Sequence, residues 1–236
     1  ILIENDPEVD VKWRFFNADA SEAEMCGNGA RCAARFAALT GIVQKPRMAF
    51  RTLAGVIKAE LQGDRVKVQM TSPHSLQPDL NLEADGRSFR VDSINTGVPH
   101  AVCFAADENE LESIEVLRYG HALRFHKHFQ PAGSNVNFVH VQDSHHMVVR
   151  TYERGVEGET LACGTGCIAA SLVAAARGRV ASPVEVRTRG GESLRVYFEM
   201  SGGTQSPAEV PFKEVYLEGE ARIAYEADLW TETLQQ

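Results

Sequence analysis

The chain has 236 residues, 44% of them hydrophobic, which is enough for one large domain or two smaller domains with packed cores. Its net charge of −8 argues against a nucleic-acid or anionic-membrane partner, and no apolar run approaches the ~20 residues that span a bilayer. Five cysteines, an odd number, indicate free thiols and a reducing, cytoplasmic setting.

The first half reads as strands around one helix. The run Ile1-Leu2-Ile3 resembles part of a strand and lacks an initiating Met, so we expect an upstream segment. Strands are predicted at "VKWRFFNA" and "RVKVQM", and an alanine-rich helix follows Cys26. The prolines of "SPHSLQP", from Pro73 to Pro78, predict a domain boundary.

The second half repeats this pattern with more strands. These are predicted at "SFRVDSI", "HAVCFA", "VNFVHV", "HMVVRTYE", "VEVRT" and "LRVYFEM", and a second alanine-rich helix follows Cys163. Many short strands with one strong helix per half predict an α+β fold of two pseudo-symmetric domains. Each domain would wrap a mixed sheet or barrel around its central helix. Such helices should be apolar all round, as Phe36 and the run 168–176 suggest.

An internal repeat supports this division. At an offset of 137 residues, seven positions align without gaps: Cys26, Gly27, Gly29, Ala33, Ala37, Ala38 and Gly41 fall on Cys163, Gly164, Gly166, Ala170, Ala174, Ala175 and Gly178. Each helix ends at a glycine, and an Arg-Thr pair follows in a strand that turns back. The matching openings, ends and trailing strands favour a repeat over chance similarity between alanine-rich helices.

The repeated Cys-Gly-x-Gly places a thiol at each helix start. Unpaired amides and the helix dipole carry partial positive charge there, which should lower the pKa of Cys26 and Cys163. The glycines leave the same amides open to a carboxylate. Two such units facing each other could remove a proton from one face of an amino-acid α-carbon and return one to the other. The amides would stabilise the charge that moves into the carboxylate.

Other interpretations of the cysteines are weaker. Cys32, Cys103 and Cys167 fall within helices or an apolar strand and are read as packed, inert thiols. A metal site would use Cys163 and Cys167, with histidines at 126, 128, 145 and 146. The chain has no C-x-x-C pair, and those histidines lie in polar stretches, so we predict no metal.

Four separated motifs resemble the diaminopimelate epimerase family. They are "FFNADASEAEMCGNGARC", "NTGVPHAV", "SNVNFV" and "TYERGVEGETLACGTG", in the family's order, and the resemblance runs from Phe15 almost to the C-terminus. It implies cofactor-independent epimerisation of LL-diaminopimelate to meso-diaminopimelate in lysine and peptidoglycan-precursor synthesis. It also implies domains at 1–75, completed by 222–236 through a C-terminal strand, and at 76–221.

The resemblance assigns roles by motif. Cys26 and Cys163 would be the two acid/base thiols, with His100 and Glu153 tuning their pKa values. A homodimer would form through Tyr225. The implied substrate-binding residues are Asn17, Gly27, Asn28, Asn135, Glu153, Arg154, Gly164 and Thr165.

Departures from the family pattern leave alternatives. Val98 stands where the family usually has Asn, so a substrate contact is lost or moved, and Asn95 is a candidate replacement. A proline-type racemase of the same superfamily is the second hypothesis, although a distal-carboxylate binder such as Arg154 has no role with proline. The third is a non-catalytic binding or redox-switch homologue, whose two thiols could oxidise to a disulfide.

Overall fold

The structure, a computed structural model, describes residues 1–17, 19–23, 26–201, 210–227 and 230. Ala18, Glu24 and Met25 of the first motif lie outside the described residues. The helices are α1 (Gly27–Leu39), α2 (Glu108–Ser113), α3 (Val116–Arg124) and α4 (Gly164–Ala176), with a 3-10 turn at Lys127–Phe129. None of the helices formed by these residues has both the length and the apolar content needed to cross a membrane.

Strands dominate the fold. Those of the first half are β1 (Leu2–Glu4), β2 (Val11–Phe16), β3 (Glu22–Ala23), β4 (Arg47–Thr52), β5 (Gly55–Gln62) and β6 (Arg65–Gln69). Those of the second half are β7 (His74–Ala84), β8 (Arg87–Asn95), β9 (Pro99–Phe104), β10 (Asn135–Val141), β11 (His146–Glu153), β12 (Gly158–Thr160), β13 (Val184–Arg187), β14 (Ser193–Met200) and β15 (Phe212–Glu220). The strands predicted within residues 1–200 are all present, and the α+β fold class is confirmed.

The described strands join in one 15-stranded sheet. Its main path runs β1-β2-β4-β5-β6-β15-β14-β13-β11-β10-β9-β8-β7, with β3 beside β2 and β12 beside β11. β15 pairs antiparallel with β6 of the first half on one side and with β14 of the second half on the other. This strand therefore couples the two halves through backbone hydrogen bonds.

The two alanine-rich helices share one core but differ in burial. On α4, residues 166–175 are buried, as an all-round apolar sequence requires. On α1 one face is open, because Phe36 is 48% and Leu39 57% exposed. The prediction that Phe36 is buried is therefore wrong, and α1 is amphipathic. A second cluster packs α2 and α3 against strands β7–β11.

The predicted domain boundary and the predicted C-terminal strand both differ from the observed strands. The boundary predicted at Pro73 to Pro78 lies largely within β7, which begins at His74. Residues 221–227 form no strand, and 228, 229 and 231–236 lie outside the described residues. The chain returns to the first half through β15, whose residues 212–220 were assigned to the second domain. The domain limits themselves stay a prediction.

Candidate active site

The two predicted thiols occupy equivalent positions at the starts of α1 and α4. Cys26 and Cys163 are the N-cap residues, both with extended backbone, and the helices begin at Gly27 and Gly164. Cys26 Sγ accepts a hydrogen bond from the Gly29 amide at 3.4 Å. A thiol thus stands where an N-cap side chain meets the free amides of the first turn.

Both helix starts meet on one side chain of β15. A Cβ on Gly27 would lie 3.6 Å from Cδ2 of Leu217, and a Cβ on Gly164 would lie 2.9 Å from the same atom. Leu217 is 1% exposed, and α1 and α4 approach each other directly. The amide-rich ends of the two helices are therefore held at one place in the fold, and each carries its Cys-Gly step there.

Burial dominates the ionisation of Cys163. Loss of water raises the pKa of its thiol to about 11, and the Glu153 carboxylate adds to the rise. The Thr165 hydroxyl, 3.6 Å from Sγ, and the amides of Thr165 and Gly166 lower the pKa by less. The prediction of a lowered pKa is wrong for Cys163, because the helix start does not outweigh desolvation.

The remaining thiols divide into two groups. Cys103 and Cys167 are buried, and burial raises the pKa of the Cys103 thiol to about 12 and that of Cys167 further. Both match the prediction of packed, inert thiols. Cys32 is exposed on α1, so the same prediction is wrong for it.

His100 is held as a neutral ring. It is fully buried, and desolvation together with the charge of Arg154 lowers its pKa to about 3. The Asn137 amide donates from Nδ2 to the Ala101 carbonyl at 3.0 Å and accepts at Oδ1 from Thr151 Oγ1 at 3.0 Å. This fixes the amide orientation, so Nδ2 also donates to His100 Nδ1 at 3.1 Å. The ring proton is therefore on Nε2.

The His100 network reaches the start of α4. A Cβ at Gly166 would contact Asn137 Oδ1 and would lie 3.3 Å from Cys163 Sγ. His100 Nε2 is buried and has no hydrogen-bond partner among the described residues. The neutral His100 ring is thus linked through Asn137 to the start of α4, and its Nε2–H donor is free of protein partners among the described residues.

The end of β11 brings the predicted distal binders to His100. Asn135 lies opposite His100 in the parallel pairing of β10 with β9. Its Oδ1 accepts from the Arg154 amide at 2.7 Å, and its Nδ2 donates to the Pro99 carbonyl at 3.3 Å. The Asn135 side chain therefore fixes the backbone of Arg154. Arg154 is half-buried, and its Nη1 donates to the Ala132 carbonyl at 3.2 Å.

The loop before β9 is tied to α4. Asn95 Oδ1 accepts from the Gly97 amide at 2.9 Å, and Thr96 Oγ1 donates to the Thr165 carbonyl at 3.1 Å. Asn95 therefore stabilises the turn beside Val98. Asn17 lies on an exposed turn after β2, where its Nδ2 donates to Ser21 Oγ at 3.0 Å.

One predicted residue stands apart from this arrangement, and several of its members were not predicted. Tyr225 is 82% exposed in the segment after β15, so the structure does not bring it to the thiols. Sequence reasoning missed Arg31, Thr96, Asn137, Thr151 and Leu217. Arg31, Thr96, Asn137 and Thr151 lie inside quoted motifs, so motif membership was the available signal for these four. Leu217 had no signal beyond its alternation within β15.

A pocket of about 620 Å³ lies elsewhere, lined mainly by β4, β5, β6, β14 and β15. It contains none of the predicted site residues. Among the described residues, no cluster of three or more His, Cys, Asp and Glu could hold a metal ion.

The similarity to known families decides the assignment. The family model described as diaminopimelate epimerase matches residues 1–76 and 93–203. The chain belongs to the diaminopimelate epimerase family.

Individual relatives agree with this membership of the diaminopimelate epimerase family. A diaminopimelate epimerase of Aquifex aeolicus is 48% identical over 240 residues, covering 100% of this chain and 81% of the relative. A diaminopimelate epimerase of Hydrogenobaculum is 47% identical, and the match covers 84% of this chain and 73% of the relative. A hydroxyproline epimerase structure from Agrobacterium vitis matches with a TM-score of 0.70 and 19% identity, over 93% of this chain and 70% of that one. At that identity the last match shows the fold alone.

Proposed function

We propose that this chain epimerises LL-diaminopimelate to meso-diaminopimelate without an organic cofactor, with Cys26 and Cys163 as the acid/base groups. Membership of the diaminopimelate epimerase family makes the chain an isomerase. The observation that carries the proposed mechanism is the convergence of two Cys-Gly helix starts on Leu217. One buried contact thereby gathers two thiols and two sets of free helix amides.

The reaction needs only proton transfers. In one direction the Cys163 thiolate takes the α-proton, and the electron pair of the broken C–H bond moves into the carboxylate. The Cys26 thiol then gives its proton to the opposite face, which leaves Cys163 protonated and Cys26 as thiolate. Amides at Gly27, Asn28 and Gly164 would stabilise the carboxylate while its charge rises. The reverse reaction exchanges the two roles.

The raised pKa of Cys163 has a consequence for this cycle. At neutral pH the buried thiol holds its proton, so it is prepared to donate. To accept a proton, it must first ionise. The cationic α-amino group of a bound amino acid would favour the thiolate by opposing the desolvation and the charge of Glu153. Substrate binding and activation of Cys163 would therefore be coupled.

The distal amino-acid end would be held by the end of β11. Arg154 is half-buried, and its planar guanidinium suits a carboxylate. Asn135 positions Arg154 through its backbone amide, while Glu153 and Asn17 would take the distal ammonium. The neutral His100 would offer its Nε2 proton as an uncharged donor.

Deuterium incorporation tests the activity. The chain is incubated with LL-diaminopimelate in D2O, and the meso product is examined for deuterium at the inverted α-carbon. Cys26→Ala and Cys163→Ala should each lose epimerisation. Cys32→Ala is the matched control, because it removes an exposed thiol from α1 and should retain activity. Retention of activity by both Cys26→Ala and Cys163→Ala would refute the mechanism.

A substrate panel separates the proposal from a proline-type racemase. L-Proline has no distal carboxylate for Arg154, so we expect no racemisation of it. Turnover of proline without turnover of diaminopimelate would assign the other specificity.

Cellular setting and assembly are further parts of the proposal. The free thiols suit a reducing cytoplasm, where the reaction would serve lysine and peptidoglycan-precursor synthesis. The exposed Tyr225 ring would lie at a homodimer interface. Sedimentation of the wild type and of Tyr225→Asp tests this, and a monomeric wild type would contradict it.

A further inference from the structure

Arg31 is a buried cation that the proposed mechanism does not use. It lies on the inward face of α1, one turn beyond Asn28, and is 4% exposed. Burial lowers the pKa of its guanidinium, the expected effect of removing a charge from water. The hydrogen bonds of the guanidinium must offset this cost, so its partners identify what the buried charge is held against.

The guanidinium contacts the start of α1 and β15. Its Nη2 donates to Asn28 Oδ1 at 3.1 Å, and its Nε lies 3.5 Å from the Glu220 carbonyl oxygen. The nearest carboxylate oxygen recorded for it, on Glu192, is 3.8 Å away. The Asn28 oxygen is thus the closest of these three partners.

Gly219 makes room for this arrangement. A Cβ there would lie 2.6 Å from Leu194 Cδ2, 3.0 Å from Arg31 Nε and 3.1 Å from Arg31 Cζ. Leu194 would have to shift to admit such a side chain, and the guanidinium would have to move by a few tenths of an ångström. The absence of a side chain at Gly219 therefore permits Arg31 to extend from α1 across β15.

The contact decides which way the Asn28 amide faces. A guanidinium has only donors, so the oxygen of Asn28 must face it, and an inverted amide would set donor against donor. Both Nδ2 hydrogens then remain available. Asn28 is the second residue of α1, beside the free amides of the first turn, where an anion is stabilised.

The second copy of the repeat has no such group. Ile168 stands at the position equivalent to Arg31 and is 1% exposed. The residue equivalent to Asn28 is Thr165, whose carbonyl is held by Thr96. The two helix starts are therefore held by different contacts. On α4 the hydrogen bond is made to the backbone carbonyl of Thr165, whereas on α1 it is made to the side chain of Asn28.

We propose that Arg31 is a positioning residue that orients the Asn28 amide, so that its Nδ2 hydrogens bind the carboxylate of the reacting amino-acid centre. This rests on the proposed function, because the ligand of Asn28 is the substrate of that reaction. Arg31 makes no hydrogen bond to a reacting atom, although its charge interacts with that of Cys26; its proposed effect on carboxylate binding is exerted through Asn28.

A double-mutant cycle on the full chain tests this inference, with the dissociation constant of LL-diaminopimelate and kcat/KM as readouts. Arg31→Met should weaken binding about tenfold, the effect of one charge-assisted hydrogen bond. Asn28→Ala should weaken it at least as much, and the double variant should bind no worse than Asn28→Ala. Arg31→Lys should recover part of the loss, because it keeps a donor. Additive losses, or unchanged affinity in Arg31→Met, would overturn the role.

The matched control is Arg35→Met. This change also removes a guanidinium from α1, but one that donates to the Gly63 carbonyl, a full turn further along the helix. Affinity should stay at the wild-type level in this variant. Should Arg31→Met not fold, Arg31→Gln and Arg31→Lys carry the same comparison, with the weaker donor expected to lose more affinity.

A substrate-independent readout separates this inference from the proposed function. NMR relaxation of the Asn28 side-chain amide should report a rigid group in the wild type and in Arg35→Met, and a mobile one in Arg31→Met. Equal mobility in all three proteins would overturn the inference. A wild type that neither binds nor epimerises diaminopimelate would refute the proposed function, whereas the amide measurement would still decide the role of Arg31.

Discussion

The buried, neutral state of His100 predicts a specific loss of stability in acid. The ring is fully buried, its Nδ1 is occupied by the Asn137 amide, and its pKa is lowered to about 3 from 6.5. In the unfolded chain the ring would be protonated near its ordinary pKa. His100→Gln is the matched perturbation, because Gln offers an oxygen to Asn137 and keeps an N–H donor but does not titrate.

The magnitude follows from linkage between protonation and folding. Between the two pKa values the unfolded chain binds the proton and the folded chain does not, so stability falls as pH falls. The stabilising contribution is complete above pH 6.5 and is lost towards pH 3. Over the whole window the shift of 3.5 corresponds to about 5 kcal/mol, and by about pH 5 the loss is already about 2 kcal/mol.

Urea unfolding of the wild type and His100→Gln at about pH 7.5 and about pH 5 measures this quantity. Other groups titrate in both proteins and cancel in the comparison. The wild type should lose about 2 kcal/mol more than the variant on acidification. Nitrogen NMR should show Nε2 protonated and Nδ1 bare. Equal losses, or a His100 resonance that titrates near 6.5, would refute the assignment of a buried neutral ring.

Three further changes probe the rest of the molecule. From about pH 9 to about pH 12 the free energy of unfolding should fall, because the raised pKa values of the Cys103 and Cys163 thiols favour ionisation only in the unfolded chain. Urea unfolding of Cys103→Ala should show a smaller fall with pH than the wild type. An equal dependence of the unfolding free energy on pH in both proteins would contradict this. Gly164→Ala should lower the free energy of unfolding by about 1–3 kcal/mol, because the new Cβ would lie 2.9 Å from Leu217. Gly27→Ala should cost less, because the atom nearest to its Cβ is the flexible end of Met70 at 3.2 Å. A lower melting temperature for Gly27→Ala than for Gly164→Ala would refute the packing argument. Arg177→Met should lower the free energy of unfolding, measured in urea, by about 3–5 kcal/mol, because Asp92 is 2% exposed and loses the guanidinium that pairs with it. A decrease below about 1 kcal/mol would show that the ion pair is not needed for stability.

Strand positions were readable because alternation and β-branched residues mark half-buried strands, but several elements were not predicted, among them β7, α2 and α3. β7 begins among prolines that suggested a boundary, and Pro78 is tolerated because β7 is the last strand of the sheet and shifts register near Gln77. α2 carried an unread capping signal, since the Asp107 side chain accepts from the Glu110 amide. On α3, Gly120 packs against the Tyr152 ring, a long-range contact that no local pattern contains.

The candidate site was predictable where its chemistry depends on neighbouring residues in the chain, and not where it depends on burial in the folded protein. Cysteine and glycine at a helix start could be read from the motif, because the amides of the first turn belong to the helix itself. The pKa of Cys163 could not, because burial by β-strands distant in sequence exceeds the effect of those amides. The exposure of Cys32 and Phe36 was missed for the same reason, since a helix sequence does not state which of its faces the sheet covers.

The two copies of the repeat therefore agree in backbone chemistry and differ in surroundings. Both provide a cysteine N-cap and a glycine-opened first turn, but Cys26 is half-buried whereas Cys163 is 8% exposed beside Glu153 and the His100 network. A two-thiol epimerisation needs one thiol and one thiolate at a time. Burial raises the pKa of Cys163, and in the proposed mechanism a bound amino acid would have to offset that burial before Cys163 could accept a proton. In the proposed mechanism the repeat supplies the two acid/base groups, and the burial of Cys163 favours its protonated form until a substrate binds.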